Sequence, residues 1–229
     1  MATMWCLLVA FLAVAEAVPV PDADVAAYLT QYGFMPSASS SSNLRSSSSV
    51  TVSAALKDFQ STFGLAVTGT LNDETRKLMA TPRCGMKDKG ETRHKRALQY
   101  FWRRGNIRYH IASFPPGLDR NFEVGAANQA DIVLNFYTNA AHNGVCNAPW
   151  ASNTLAHAFY PENGQVHFNL GFSWTEPDMI GSLFFHEIGH ALGLDHVTGN
   201  ELNLMNPYYV RGPKHFAAEN INALRSTYS

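Results

Sequence analysis

The chain has 229 residues, 46% of them apolar and 15% charged, which is enough to fill one ordinary domain or two small ones and too apolar for a disordered tail. Seventeen basic residues against eighteen acidic ones leave a formal net charge of -1, which argues against nucleic acid as a partner. Three cysteines, an odd and small number, exclude a disulfide-stapled scaffold.

The chain opens on an unbroken apolar run, WCLLVAFLAV at 5–14, followed by the small-x-small sequence Ala15-Glu16-Ala17. Ten apolar residues cover about half a bilayer span, so the segment reads as a secretory signal peptide over 1–17 and the product as secreted, without a membrane anchor. Residues 22–34 then place Val25, Tyr28, Leu29 and Tyr32 at helical spacing. Nine serines within 37–49 make a loop that can bury little. Amphipathic spacing resumes over 52–63 through Leu56, Phe59, Gln60 and Phe63, and a third short helix is predicted over 72–80 with Asn72 as its cap. Three short helices make a small helical module. A charged run over 87–96 ends in Arg93-His94-Lys95-Arg96, the Arg-x-Lys-Arg pattern cut by furin-type proteases, so cleavage is expected after Arg96. This divides the exported chain into 18–96 and 97–229.

Beyond Arg96 the pattern turns to short strands, over 107–111, 131–136, 155–160 and 165–170. The last two are joined through Pro161-Glu162-Asn163-Gly164 as a hairpin. A longer helix is predicted over 178–192. Strands followed by a helix point to an α+β domain.

The chemistry lies in that helix, which carries His186-Glu187-Ile188-Gly189-His190 and continues to His196. Histidines four residues apart share one helical face, and Gly193 can end the helix so that His196 returns as a third ligand. Three protein ligands with one open position describe a catalytic zinc, beside which Glu187 serves as general base. Nine residues beyond His196, Met205 lies in Leu204-Met205-Asn206-Pro207-Tyr208-Tyr209, the pattern of a methionine turn beneath the metal.

The chain here resembles the matrixins, the matrix metalloproteinase family of metzincin endopeptidases, in their minimal form without a hemopexin domain. Pro82-Arg83-Cys84-Gly85-Met86-Lys87-Asp88 is similar to the family's cysteine switch, departing from it at Met86 and Lys87. The resemblance implies that Cys84 holds the zinc in a latent form. Residues 55–60 (ALKDFQ) and 67–71 (VTGTL) resemble the family's propeptide helices, a peptidoglycan-binding-like module. Leu155 and Ala156 match the edge strand along which family members lay substrate, and Pro207 and Tyr209 match the wall of the S1' pocket. The implied architecture is zincin-like: a twisted, mostly parallel sheet with an edge strand and an active-site helix, preceded by a three-helix propeptide.

The departures carry expectations too. His142, His157 and His167 match three ligands of the family's structural zinc, but the position of its aspartate falls on Gly144. Cys146, four residues after His142, could supply the missing ligand, the alternative being a plain unpaired thiol. Asn169 and Phe172 stand where calcium carboxylates are expected, so calcium is doubtful. Only ten residues, 112–121, separate the first strand from Phe122-Glu123-Val124, which resembles the second, so the family's first long helix has no counterpart here: either the domain is a reduced variant, one sheet face losing cover, or the sequence lacks a segment. The expected product is a secreted, monomeric, latent zinc endopeptidase with extracellular or matrix proteins as substrates and a furin-type protease as activator. The alternative is an inactive or weakened secreted binding protein of matrixin type.

Overall fold

A computed structural model of the chain describes residues 24–36, 51–89, 100–103, 105–115, 129–146 and 150–228. The signal sequence, the serine run, the cut site at Arg96 and Phe122–Val124 lie outside the described residues.

Three helices form the N-terminal module: α1 (Val25–Gln31), α2 (Val52–Thr62) and α3 (Asp73–Ala80). Thr51 and Asn72 cap the second and third, each side chain accepting a backbone N–H three residues on, from Ala54 and Thr75. Their apolar faces meet in a core of Val25, Tyr28, Leu29, Tyr32, Phe59 and Met79. Gln60, fully buried, ties the turn between α2 and α3: its amide nitrogen donates to Thr68 Oγ1, Thr70 O and Thr75 Oγ1, and its oxygen accepts from Thr68 N and Gly69 N.

Among the described residues a five-stranded sheet runs through the rest, in the order β1 (Arg83–Cys84), β4 (Thr154–Ala158), β5 (Gln165–Asn169), β3 (Ile132–Tyr137), β2 (Tyr109–Ile111). The hairpin β4–β5 is antiparallel, and every other pairing is parallel. The edge strand β1 belongs to the N-terminal part, so the sheet is completed across the expected cut site. Ile132, Leu134 and Phe136 alternate into a core with Val166, Phe168, Trp174 and Leu183. The intervening β3 residues, on the opposite face, are half-buried, so this face is thinly covered among the described residues.

Helix α5 (Pro177–Ala191) packs on the sheet's core face. The C-terminal helix α6 (Ala218–Tyr228), which periodicity does not single out, fastens its end: Tyr228 Oη donates to Leu192 O at 2.8 Å. Trp102 Nε1 donates to Ala191 O at 2.8 Å. A further unpredicted helix, α4 (Asn139–Val145), follows β3, capped by Thr138.

Replacing Gln60 by Leu leaves the Thr68 and Gly69 N–H groups without their acceptor, and is expected to lower the stability of the N-terminal module by about 2–4 kcal/mol. Urea unfolding of the variant against the unaltered chain measures this.

Candidate active site

Helix α5 presents His186 and His190 one turn apart, with Glu187 beside them, all three buried. Gly193, at φ 101°, ends the helix in the left-handed region, where its N–H bonds His190 O and that of Leu194 bonds Gly189 O. The reversal returns His196 to the other two, and the three rings lie 4.7–5.3 Å apart between centroids.

Each imidazole is oriented by a partner on Nδ1. His186 Nδ1 donates to Leu204 O at 2.6 Å, His190 Nδ1 to Leu194 O at 2.7 Å, and His196 Nδ1 to Asp88 Oδ1 at 2.9 Å. With the proton on Nδ1, each Nε2 carries a lone pair, and the three lone pairs point into one space. His186 and His190 Nε2 approach to 3.1 Å and His196 Nε2 has no hydrogen-bond partner among the described residues. Burial, its first cause, holds His186 down to about 3 and keeps His190 and His196 below the usual histidine range, so all three are neutral near pH 7. Neutral, converging nitrogen donors fit a divalent cation and fit little else, because without one their lone pairs repel.

Cys84 closes the fourth side. Its Sγ lies 3.6 Å from His190 Nε2, and it and the three histidines hold their donor atoms within 4.8 Å of one another. Glu187 stands against this cluster with neither carboxylate oxygen hydrogen-bonded among the described residues, and burial pushes its pKa up to about 8. Met205, fully buried, lies beneath the helix at Gly189, where an added Cβ would come 2.5 Å from the Met205 sulfur. The second glycine-requiring position of the motif is therefore set by close approach rather than by backbone angle.

The segment carrying Cys84 is held as an extra strand. Arg83 N donates to Asn153 O, Gly85 N to Ala156 O, Cys84 N to Pro207 O, and Pro82 O accepts from Tyr209 N. Ala156, Pro207 and Tyr209 thus bind the 82–85 backbone directly, while Leu155 is buried in the strand beside it. Beside His186 lies a small hollow lined by Leu183, Leu204, Pro207, Tyr209 and Lys214, whose ammonium donates to Tyr208 O.

A buried ion pair, which sequence reasoning missed, locks the two halves. Arg83 Nη2 donates to Asp88 Oδ1 at 2.6 Å, both side chains being wholly buried, and the guanidinium lies 3.6 Å from the centroid of the Tyr32 ring. Its Nη1 donates to Tyr28 Oη and Tyr208 Oη, one from each half of the chain. Asp88 accepts from both Arg83 and His196, and although burial opposes it, the Arg83 charge and the His196 bond bring its pKa below the ordinary value. The signal lay in Arg83 and Asp88 flanking Cys84, but their tyrosine partners are far away in sequence.

The second histidine group also assembles. His157 on β4 pairs directly with His167 on β5, and His142 and Cys146 reach them from α4. Their donor atoms again lie within 4.8 Å of one another. Burial holds His157 down to about 3 and His167 to about 4. Asn169 donates its amide to Thr154 O and accepts from Gly171 N, and Phe172 packs on the core, so both serve the loop after β5.

Comparison with known proteins places these features. A family model described as Matrixin matches residues 102–229, and one for a peptidoglycan binding domain matches 23–79. Matrix metalloproteinase-19 of Homo sapiens is 32% identical over 90% of this chain and 44% of its own length. Matrix metalloproteinase-18 of Xenopus laevis is 33% identical over 76% of the chain and 43% of its own length, and the Macrophage metalloelastase of Rattus norvegicus 32% over 76% and 43%. The chain spans under half the length of these relatives.

Changing Asp88 to Asn strands the Arg83 cation and is expected to weaken the hold on Cys84 by about 3 kcal/mol or more, raising the rate at which a disulfide reagent titrates Cys84 on the order of 100-fold. The pH dependence has a definite sign. Because Asp88 has a depressed pKa, its contribution is full above the ordinary value of 3.8 and is lost only as pH falls through the lower folded value. Latency supported by this pair should therefore persist across pH 5–8 in the same titration.

Proposed function

Since this chain belongs to the matrixin family of zinc metalloendopeptidases, we propose that it is a secreted, latent endopeptidase that hydrolyses internal peptide bonds of extracellular proteins. The observation that carries the reading is the convergence of three neutral, Nδ1-anchored imidazoles on one space beside an unpaired buried carboxylate. His186, His190 and His196 would hold the zinc, Glu187 acts as base, and Cys84 is the inhibitory ligand. When bound, zinc lowers the pKa of a water molecule and polarises the scissile carbonyl.

The remaining steps belong to the chain's own residues. Departure of Cys84 clears the space in front of Glu187, whose unpaired carboxylate then faces a water there and can exchange a proton with it. Glu187 accepts the proton of the attacking water and returns it to the leaving amine. Departure of 82–85 also frees Ala156 O, Pro207 O and Tyr209 N, which then pair with an extended substrate as they paired with the propeptide. Leu155 and Ala156 form one side of this cleft, Pro207 and Tyr209 the other, and the hollow beside His186 receives the side chain after the scissile bond. A furin-type protease cutting after Arg96 separates the inhibitor, 18–96, from the enzyme, 97–229.

After treatment with a mercurial or a furin-type protease, the purified chain should cleave a quenched peptide with an apolar P1' residue. Glu187→Ala is expected to lower turnover at least 100-fold while zinc content stays unchanged; turnover at the unaltered rate would overturn the base assignment. Cys84→Ser should give cleavage without treatment, and continued latency would remove Cys84 from its inhibitory role.

A further inference from the structure

We propose that Cys146 is the fourth ligand of a second, closed metal site, in which a thiolate joins His142, His157 and His167 around a thiophilic divalent cation of the zinc type. His142 and Cys146 are four residues apart on α4, the cysteine forming its C-cap with its N–H on His142 O at 2.9 Å. That spacing turns both side chains to one side of the helix. Gly144, two residues along, is exposed, and a Cβ built there meets nothing within 4 Å. A carboxylate at 144 would leave the helix away from the histidines, whereas position 146 faces them.

The geometry around His157 requires an occupant. Its Nε2 lies 3.0 Å from His142 Nε2, 3.1 Å from His167 Nδ1 and 3.8 Å from Cys146 Sγ. One ring nitrogen has either one proton or one lone pair, so it cannot satisfy three neighbours at once. A cation between them can. All four residues are buried, Cys146 at 8% exposure being the most open, and the Trp150 indole stacks on His142 at 3.8 Å, shutting the site from water. Three nitrogens and one sulfur fill a tetrahedron with no position left for a substrate, so the site is structural. The sulfur selects zinc-like ions over calcium or magnesium. On binding, the Cys146 thiol releases its proton to solvent and the sulfur bonds the cation as thiolate.

The site fastens α4 and Trp150 over the β4–β5 hairpin and stands whether or not the chain cleaves peptides. In the full chain carrying Cys6→Ser, Cys84→Ser and Glu187→Ala, Cys146 is the sole thiol and self-digestion is prevented. Loaded with cobalt(II), this chain should bind two ions and show thiolate-to-cobalt charge-transfer absorption in the near ultraviolet. Adding Cys146→Asp should keep the second ion without that band, and Cys146→Ala should weaken its retention at least 10-fold on dialysis. Zinc X-ray absorption on the otherwise unaltered latent chain should count one sulfur per zinc on average. Cobalt bound without the band, whether as one ion or two, or half a sulfur per zinc, would each overturn the assignment. The peptide-cleavage assay of Glu187→Ala reads the other site separately.

Discussion

The structure turns on the cost of gathering imidazole lone pairs in a dry interior. Nitrogen donors 3.1 Å apart repel, and each lost its water on burial, so their arrangement must be imposed by the surrounding chain. In this protein the imposition is made of backbone carbonyls. Leu204 O and Leu194 O fix two rings by accepting hydrogen bonds from their Nδ1–H groups, and both carbonyls sit on segments whose course is itself fixed, Leu194 by the reversal at Gly193 and Leu204 by the turn before Met205. Val197 N bonding Met205 O joins those two segments. The imidazoles are thus the end points of a continuous hydrogen-bonded frame.

The third imidazole is held differently, and this ties the histidine cluster to the N-terminal part. His196 Nδ1 donates to a carboxylate of the N-terminal part rather than to a carbonyl of its own domain. The same Asp88 neutralises Arg83, whose guanidinium is sandwiched among Tyr28, Tyr32 and Tyr208. A buried pair of this kind is held in place by the penalty of stranding either charge, so Arg83, Asp88 and Cys84 leave His196 together or not at all. The Cys84 segment and the Nδ1 partner of His196 therefore form one cooperative unit, with Asn153 bonding Met79 O and Thr81 O as its outer clasp.

Much of this was legible in the sequence wherever the deciding interactions are local. The cap at Asn72, the hairpin through Asn163-Gly164 and the i, i+4 histidines of α5 depend on neighbours within a few residues, and periodicity finds them. The strand at 107–111 shortens to Tyr109–Ile111 because pairing with β3 begins only there. Helices α4 and α6 escaped because neither carries an apolar stripe: α4 buries only His142 among its residues, and α6 is held by Tyr228 and Asn220 rather than by an aliphatic face. The Arg83 network escaped for a different reason, since Tyr28 and Tyr208 lie 55 and 125 positions from it and only tertiary structure unites them.

The thin cover of the sheet explains why polar groups do structural work on its outer face. An ordinary sheet of this kind hides both faces under helices, yet β3 turns half-buried residues outward, and among the described residues α4 with Trp150 lies over the adjoining hairpin. Seven residues of helix bury too little apolar surface to anchor themselves. The contacts that hold α4 down are instead aromatic and imidazole rings: Trp150 on His142, Tyr137 edge-on to His167, and His157 between them. Such a layer is cohesive only while its nitrogens are satisfied, because the same rings repel through their lone pairs when they are not. Where a short helix buries little apolar surface, a point of coordination can hold it down, and that requirement falls on the residues of this chain that can ligate and on few others.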